Sequence, residues 1–170
     1  RDSKNMYVDI LKGKILEANG KAKEAMAVYS EVLKRWPGAN QMIDRLVRLA
    51  FAQGDLDIVI DICKRRLKRE PRRFESLFML AYVEELKARA GQDMRLYSDS
   101  ARHYETALDV QPRQTKLYQR LSEVYTRLNR REKAIATLRR GLVVDPADRD
   151  LQKTFEQAIS PEGKVDDILS

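Results

Sequence analysis

Cysteine and histidine are almost missing from this chain: Cys63 and His103 are each the single residue of their kind among 170. One cysteine excludes an internal disulfide, and with it a disulfide-stapled secreted domain, while leaving cytoplasm and periplasm equally open. One histidine excludes the usual His-pair metal sites and argues against a His-centred triad. Glycine (7) and proline (5) are sparse and aromatics make up only 7% of residues, mostly tyrosine, which points to an all-helical protein. No run approaches the about 18 apolar residues of a membrane span. No signal-peptide pattern opens the sequence, but it begins at Arg1 rather than Met, so the expectation is a piece of a longer, multi-domain protein. Phosphate-binding Gly-rich loops, Cys pairs and metal-ligand spacings are absent. No metal or cofactor is therefore expected, and the chain reads as non-enzymatic.

What is present is charge and period. Lys and Arg number 33 against 26 Asp and Glu, a net charge of +7 with pI about 9.5, which favours acidic partners without singling out nucleic acid. Charged residues reach 35%, a level natural for an elongated array with much surface per residue. Pro37 and Pro71 stand 34 residues apart, Pro71 and Pro112 41 apart, and Pro112 and Pro146 again 34 apart. A 34-residue period broken once by seven extra residues is the mark of stacked helical hairpins.

Segments 6–39, 40–73, 74–114 and 115–148 follow from that register. Each holds two apolar stretches of helical spacing around a turn. In the first, Val8, Leu11, Ile15 and Leu16 precede Asn19-Gly20, and Ala25, Val28, Tyr29, Val32 and Leu33 follow it. In the last, Leu117, Leu121, Val124 and Tyr125 precede Leu128-Asn129-Arg130, and Ala134, Ile135, Leu138 and Leu142 follow. Gln53-Gly54-Asp55 is the turn of the second segment. The seven extra residues fall within 87–100. Two readings of them stand side by side: a lengthened hairpin with a longer loop, or an extension that presents Met94, Leu96 and Tyr97 to a partner. Residues 148–159 read as one more helix, capped by Asp148 or Asp150 and stopped by Ser160-Pro161, and serve as a capping helix or a half repeat. Residues 160–170 read as a polar tail.

These residues resemble the tetratricopeptide repeat family. Gly13, Ala81 and Ser122 stand at its small first-helix position, Ala25 and Ala134 open second helices, Tyr29 and Tyr104 hold the aromatic position, and Ala107 and Gly141 the next small one. Repeat two departs from the pattern, with Val47, Cys63 and Arg66 in place of small, aromatic and small residues. The resemblance covers about 6–148. It implies an all-α, right-handed superhelical solenoid of stacked antiparallel helix pairs, forming a single array over 1–159 of about four repeats plus a C-terminal capping helix.

The resemblance also implies where a partner binds, since first helices line a concave groove in the family. By register the groove residues are Lys14, Arg45, Arg48, Phe78, Tyr82, Lys116, Arg120 and Arg127: basic forks around an aromatic floor, suited to an extended acidic peptide. The family's clamp for chaperone C-termini is not matched. Lys116 and Arg120 fit its last pair, but Asp44, Arg48 and Met79 stand where Lys, Asn and Asn belong.

The function expected is thus a protein-protein interaction scaffold binding a peptide or protein segment in that groove. Two alternatives stay open. One is an anion-binding adaptor using the basic runs at 64–73 and 127–140 against nucleic acid, anionic membrane or acidic polysaccharide; the scarcity of interleaved aromatics weighs against nucleic acid. The other is a spacer or self-associating unit of a bacterial assembly or polymer-export machine. Cys63 reads as a small buried hydrophobe and His103 as a packing or surface residue. Glu84-Glu85 and Asp166-Asp167 are neighbours on one chain, so their carboxylates diverge rather than form a two-carboxylate site.

Overall fold

The computed structural model describes residues 2–160, with side chains from Met6 onward. The expected tail at 160–170 lies outside the described residues from position 161. Among the described residues all regular structure is helical: α1 Asp2–Ala18, α2 Ala22–Arg35, α3 Asn40–Gln53, α4 Leu56–Arg69, α5 Phe74–Gly91, α6 Met94–Val110, α7 Thr115–Arg127, α8 Arg131–Val144 and α9 Arg149–Ile159. The described residues divide into two compact units, unit 1 up to Arg65 and unit 2 from Arg66 onward.

The four prolines act as the period requires. Each stands two residues beyond the last helical residue of α2, α4, α6 or α8. Proline lacks the N–H to continue a helix and pushes the residue before it into extended conformation, so the second helix of every hairpin stops at the same register. The turns inside the hairpins close differently. α3 ends at Gly54, whose φ of 77° is left-handed, a conformation open to glycine at little cost.

In unit 1, α1 packs on α2 and α2 on α3. The first contact needs Gly13: a Cβ built there would overlap Cε1 of Tyr29, whose ring fills the space against α1. Tyr29, Ala25, Val32, Met42, Ile43, Leu46 and Ala50 are buried together with Val47 and Cys63, the residues that depart from the family pattern. The apolar stripe of α1 behaves otherwise. Val8, Leu11 and Ile15 are all more than half exposed, whereas Leu117 and Val124, in the matching register of α7, are buried in the core of unit 2.

In unit 2, α5 packs on α6, α6 on α7, α7 on α8, and α9 on both α7 and α8. One core runs through Leu77, Ala81, Tyr104, Ala107, Leu121, Tyr125, Leu138 and Leu151. The small residues again mark close approaches. Ser100, two turns into α6, donates to the Ala81 carbonyl at 2.8 Å, and a Cβ on Gly141 would meet the Tyr118 side chain at 3.0 Å. Asp148 caps α9, accepting from the amides of Asp150 and Leu151, both at 3.0 Å. At the other end of α9, Arg131 donates to the Ala158 carbonyl at 2.9 Å and the Ser160 carbonyl at 3.1 Å.

The seven-residue insertion does not lengthen a loop. It extends both helices of its hairpin, so that α5 has 18 residues and α6 has 17, against 13 in α7 and 14 in α8. The connection shrinks to Gln92, at φ 51°, and Asp93, whose carboxylate caps α6 through the amides of Arg95 and Leu96. A two-residue link suffices because one residue takes the left-handed turn and the next supplies the cap.

Candidate functional site

The residues singled out by register fall in both units. In unit 1, Lys14 and Arg48 are exposed, while Arg45 is half-buried and engaged within the chain. Its guanidinium lies 2.8 Å from the Glu17 carboxylate, which also accepts from the Tyr29 hydroxyl at 3.0 Å. Burial first, and Glu17 next, push the Tyr29 hydroxyl pKa up to about 12.

Unit 2 repeats this arrangement one step deeper. Glu85, only 1% exposed, accepts from the Tyr104 hydroxyl at 2.8 Å, from Arg89 at 2.9 Å and from Arg120 at 3.4 Å. In each case a carboxylate late on a first helix takes the aromatic-position tyrosine of its own repeat and an arginine from the next first helix. Burial, then Glu85, raises the Tyr104 pKa far above the ordinary tyrosine value. Burial alone would lower the Arg120 pKa, but Tyr104, Glu85 and Tyr82 outweigh it and raise it, so the guanidinium stays charged. It also lies 4.5 Å from the centre of the Tyr82 ring. Tyr82 in turn stacks with Phe78, and Phe78 with Phe74, at centroid distances of 6.1 and 6.2 Å. Phe74, Phe78 and Tyr82 thus form a ladder at i, i+4, i+8, with Arg120 laid across one end.

Lys116, Arg120, Glu123 and Arg127 recur on α7 at spacings of four, three and four residues, which sets them on one face. Lys116 and Arg127 are exposed. Beside the second half of this face lies a cleft of about 820 Å³, lined by Glu85 and Arg89 of α5, Met94 and Tyr97 of α6, residues of α7 and α8 that include Arg127 and Arg131, and Thr154, Gln157 and Ala158 of α9. Of the groove residues expected by register only Arg127 lines this cleft, together with Met94 and Tyr97 of the insertion.

The buried acids were not anticipated. Glu84 and Glu85 are both buried and take different partners, Glu84 reaching Nδ1 of His103 at 2.7 Å and Glu85 the cluster just described. His103 is a half-buried packing residue in this pair. The signal lay in the register: Glu17 and Glu85 each stand four residues after the small position, ahead of Tyr29 and Tyr104. Arg66, at another small position, is buried as well.

Several cations of the basic runs are engaged within the chain. Arg65 pairs with Asp61, Arg72 donates to the Asp109 carbonyl at 3.3 Å, and Arg73 pairs with Glu70 and Glu75. Lys133 and Arg140 lie over the rings of Tyr125 and Tyr118. No helix among the described residues is long and apolar enough to cross a membrane.

Stacked hairpins of 34-residue period, small residues at the crossings and tyrosines wedged beside them define a tetratricopeptide solenoid. Residues 115–148 match the tetratricopeptide repeat family by sequence as well, and the fold of the chain is that of solved tetratricopeptide repeat proteins. No curated protein matches the sequence. Among solved structures, a crystal structure of MamA protein superposes with a TM-score of 0.76 at 16% identity, over 98% of this chain and 87% of that one. TTC0263, a thermophilic TPR protein in Thermus thermophilus, gives 0.60 at 21% identity over 95% and 84%. MamA 41-end from Desulfovibrio magneticus RS-1 gives 0.65 at 14% over 85% and 77%. Repeats of this kind are protein-interaction scaffolds.

Proposed function

We propose that the chain is a non-enzymatic scaffold that binds a segment of a protein partner on the first-helix face of unit 2, with Phe78, Tyr82, Lys116, Arg120 and Arg127 as contacts. The observation that carries this reading is the state of Arg120. It is fixed over Tyr82 and tied to Glu85, so it presents a preorganised cation beside an aromatic ladder, while Lys116 and Arg127 extend the same charge along α7. Preorganised cations and rigid rings lower the entropic cost of binding, which is what an extended acidic segment needs from a shallow surface. Lys14 and Arg48 supply exposed cations on unit 1, and Arg45 reinforces that unit through Glu17.

Site-specific photo-crosslinking tests the reading. A photoreactive residue is placed at Lys116 or Tyr82, and, as control, at Arg139 on α8. The expected outcome is crosslinks in native extract from the first two positions, mapping to one acidic stretch of a partner and lost with Arg127→Glu. Equal crosslinking from Arg139, or none from Lys116 and Tyr82, defeats it.

A further inference from the structure

The outer face of α8 is not used by the fold. Ala134, Thr137, Leu138 and Gly141 are buried on the side where α8 packs against α7 and α9. On the opposite side stand Ala136, Arg139, Arg140 and Val143, spaced by three and four residues and all exposed. Val143 is 79% exposed, more than any other large apolar residue among the described residues, and its neighbour Val144 is 38% exposed.

The charge around these valines is nearly of one sign. α8 carries Arg131, Lys133, Arg139 and Arg140 against a single acid, Glu132. Arg131 is committed to the C-terminal carbonyls of α9. Lys133 and Arg140 lie over the buried rings of Tyr125 and Tyr118, which orients both cations without neutralising them. Arg139, and Arg149 just past the following turn, are exposed and have no carboxylate partner among the described residues. The acids of that turn are engaged by backbone amides: Asp145 accepts from Ala147, and Asp148 from Asp150 and Leu151.

We propose that this face docks the chain on an anionic lipid surface. Val143 and Val144 enter the boundary between headgroups and acyl chains, and Lys133, Arg139, Arg140 and Arg149 pair with lipid phosphates around them. An interfacial helix needs an apolar contact and a cationic surround, and α8 presents both on one side. The long arginine stems let the guanidinium groups stay with the headgroups while the valines go deeper. A nucleic acid or an acidic polysaccharide would use the cations alone. The face offers no exposed ring for a base to stack on, and the valines would stay in water. None of the first-helix residues assigned to the peptide partner takes part, so the two contacts are independent.

The test is co-sedimentation of the full chain with vesicles of phosphatidylcholine alone and of equimolar phosphatidylcholine and phosphatidylglycerol, at low and high salt. Binding is expected with the mixed vesicles only, and it should weaken with salt. Loss of one cation at such a surface weakens binding about fivefold, so Arg139→Ser should show that loss and Arg139→Glu a larger one. Val143→Gln should weaken binding severalfold, and Lys116→Glu should leave it nearly unchanged. In a Trp36→Phe background, Val143→Trp should shift its emission to the blue with the mixed vesicles alone. Circular dichroism checks that each variant folds. Absence of binding to mixed vesicles at low salt, equal binding to both vesicles, indifference to Arg139→Glu, or an unshifted Val143→Trp emission overturns the inference. Heparin or duplex DNA bound as tightly as the vesicles, with Val143→Gln without effect, makes the face a site for soluble polyanions and also overturns it. So does release by inorganic phosphate at the same ionic strength, which makes it a site for small anions. If Lys116→Glu abolishes vesicle binding and Arg139→Glu does not, the attraction lies on the first helices and the α8 face fails, while the scaffold reading is untouched.

Discussion

The Tyr104 hydroxyl donates to the Glu85 carboxylate across 2.8 Å in the interior of unit 2. Tyr29 and Glu17 make the same contact across 3.0 Å in unit 1, and in both places an arginine from the next first helix completes the set. A buried carboxylate is tolerable only when such donors replace its water. Removing one donor leaves it short. Tyr104→Phe is therefore expected to cost about 1–3 kcal/mol, and Arg120→Ala a comparable amount. Urea denaturation of the two single variants and the double variant measures the coupling; additive losses would show that the three groups do not act together.

Gly13 carries a steric prediction. Gly13→Ala drives a methyl group into the Tyr29 ring, and the expected loss is about 1–3 kcal/mol, although alanine is the better helix former. The loss shrinks in a Tyr29→Leu background, where the ring is gone. A loss of equal size in both backgrounds would place the cost elsewhere.

Alkali is expected to unfold the chain earlier than its net charge implies. Burial and Glu17 raise the Tyr29 pKa to about 12, above the about 10 of an unfolded tyrosine. The folded state therefore holds the proton more tightly. The stability from this group is complete below about pH 10 and is lost as the pH rises through about 12. Tyr104 and Tyr125 shift in the same direction, each mainly by burial. Melting temperatures followed from neutral to alkaline pH, with tyrosinate absorbance alongside, should fall together. Tyr29→Phe should flatten part of that fall.

The last helix depends on its two ends. Asp148→Ala removes the N-cap, at a cost of about 1 kcal/mol. Bonding from the Leu151 amide first, then from the Thr115 side chain, lowers the Asp148 pKa. Its contribution is present above the ordinary aspartate value of about 3.9 and disappears as the pH falls through the lower folded value. The wild type should lose its advantage over Asp148→Ala in that acid range. Arg131→Ala strips the other end, and amide exchange should then rise throughout α9 while α5 and α6 stay protected. Unchanged exchange in α9 would show that Arg131 does not hold it.

The proline spacing located nearly every helix because proline and the small residues act locally, through φ, a missing N–H and the room for a Cβ. Gly13 and Tyr29 could be paired from register alone for the same reason. The charged interior was hidden. Glu84 and Glu85 are residue types that ordinarily stay in water, and their burial rests on partners from α6 and α7 that a single-helix pattern does not display. The insertion was located correctly, but its form turned on Gln92 taking a left-handed turn, a choice available to few residue types besides glycine and asparagine. The uncovered stripe of α1 could not be told from a core stripe, since exposure belongs to the neighbours and not to the helix.

The recurring carboxylate, tyrosine and arginine make the repeats directional. A hairpin ending its first helix in Glu17 or Glu85 requires a successor that brings Arg45 or Arg120, and a successor without that arginine would strand the acid. The modules are thus lettered rather than interchangeable. Transplanting the third repeat elsewhere would misspell the array unless its neighbour travelled with it.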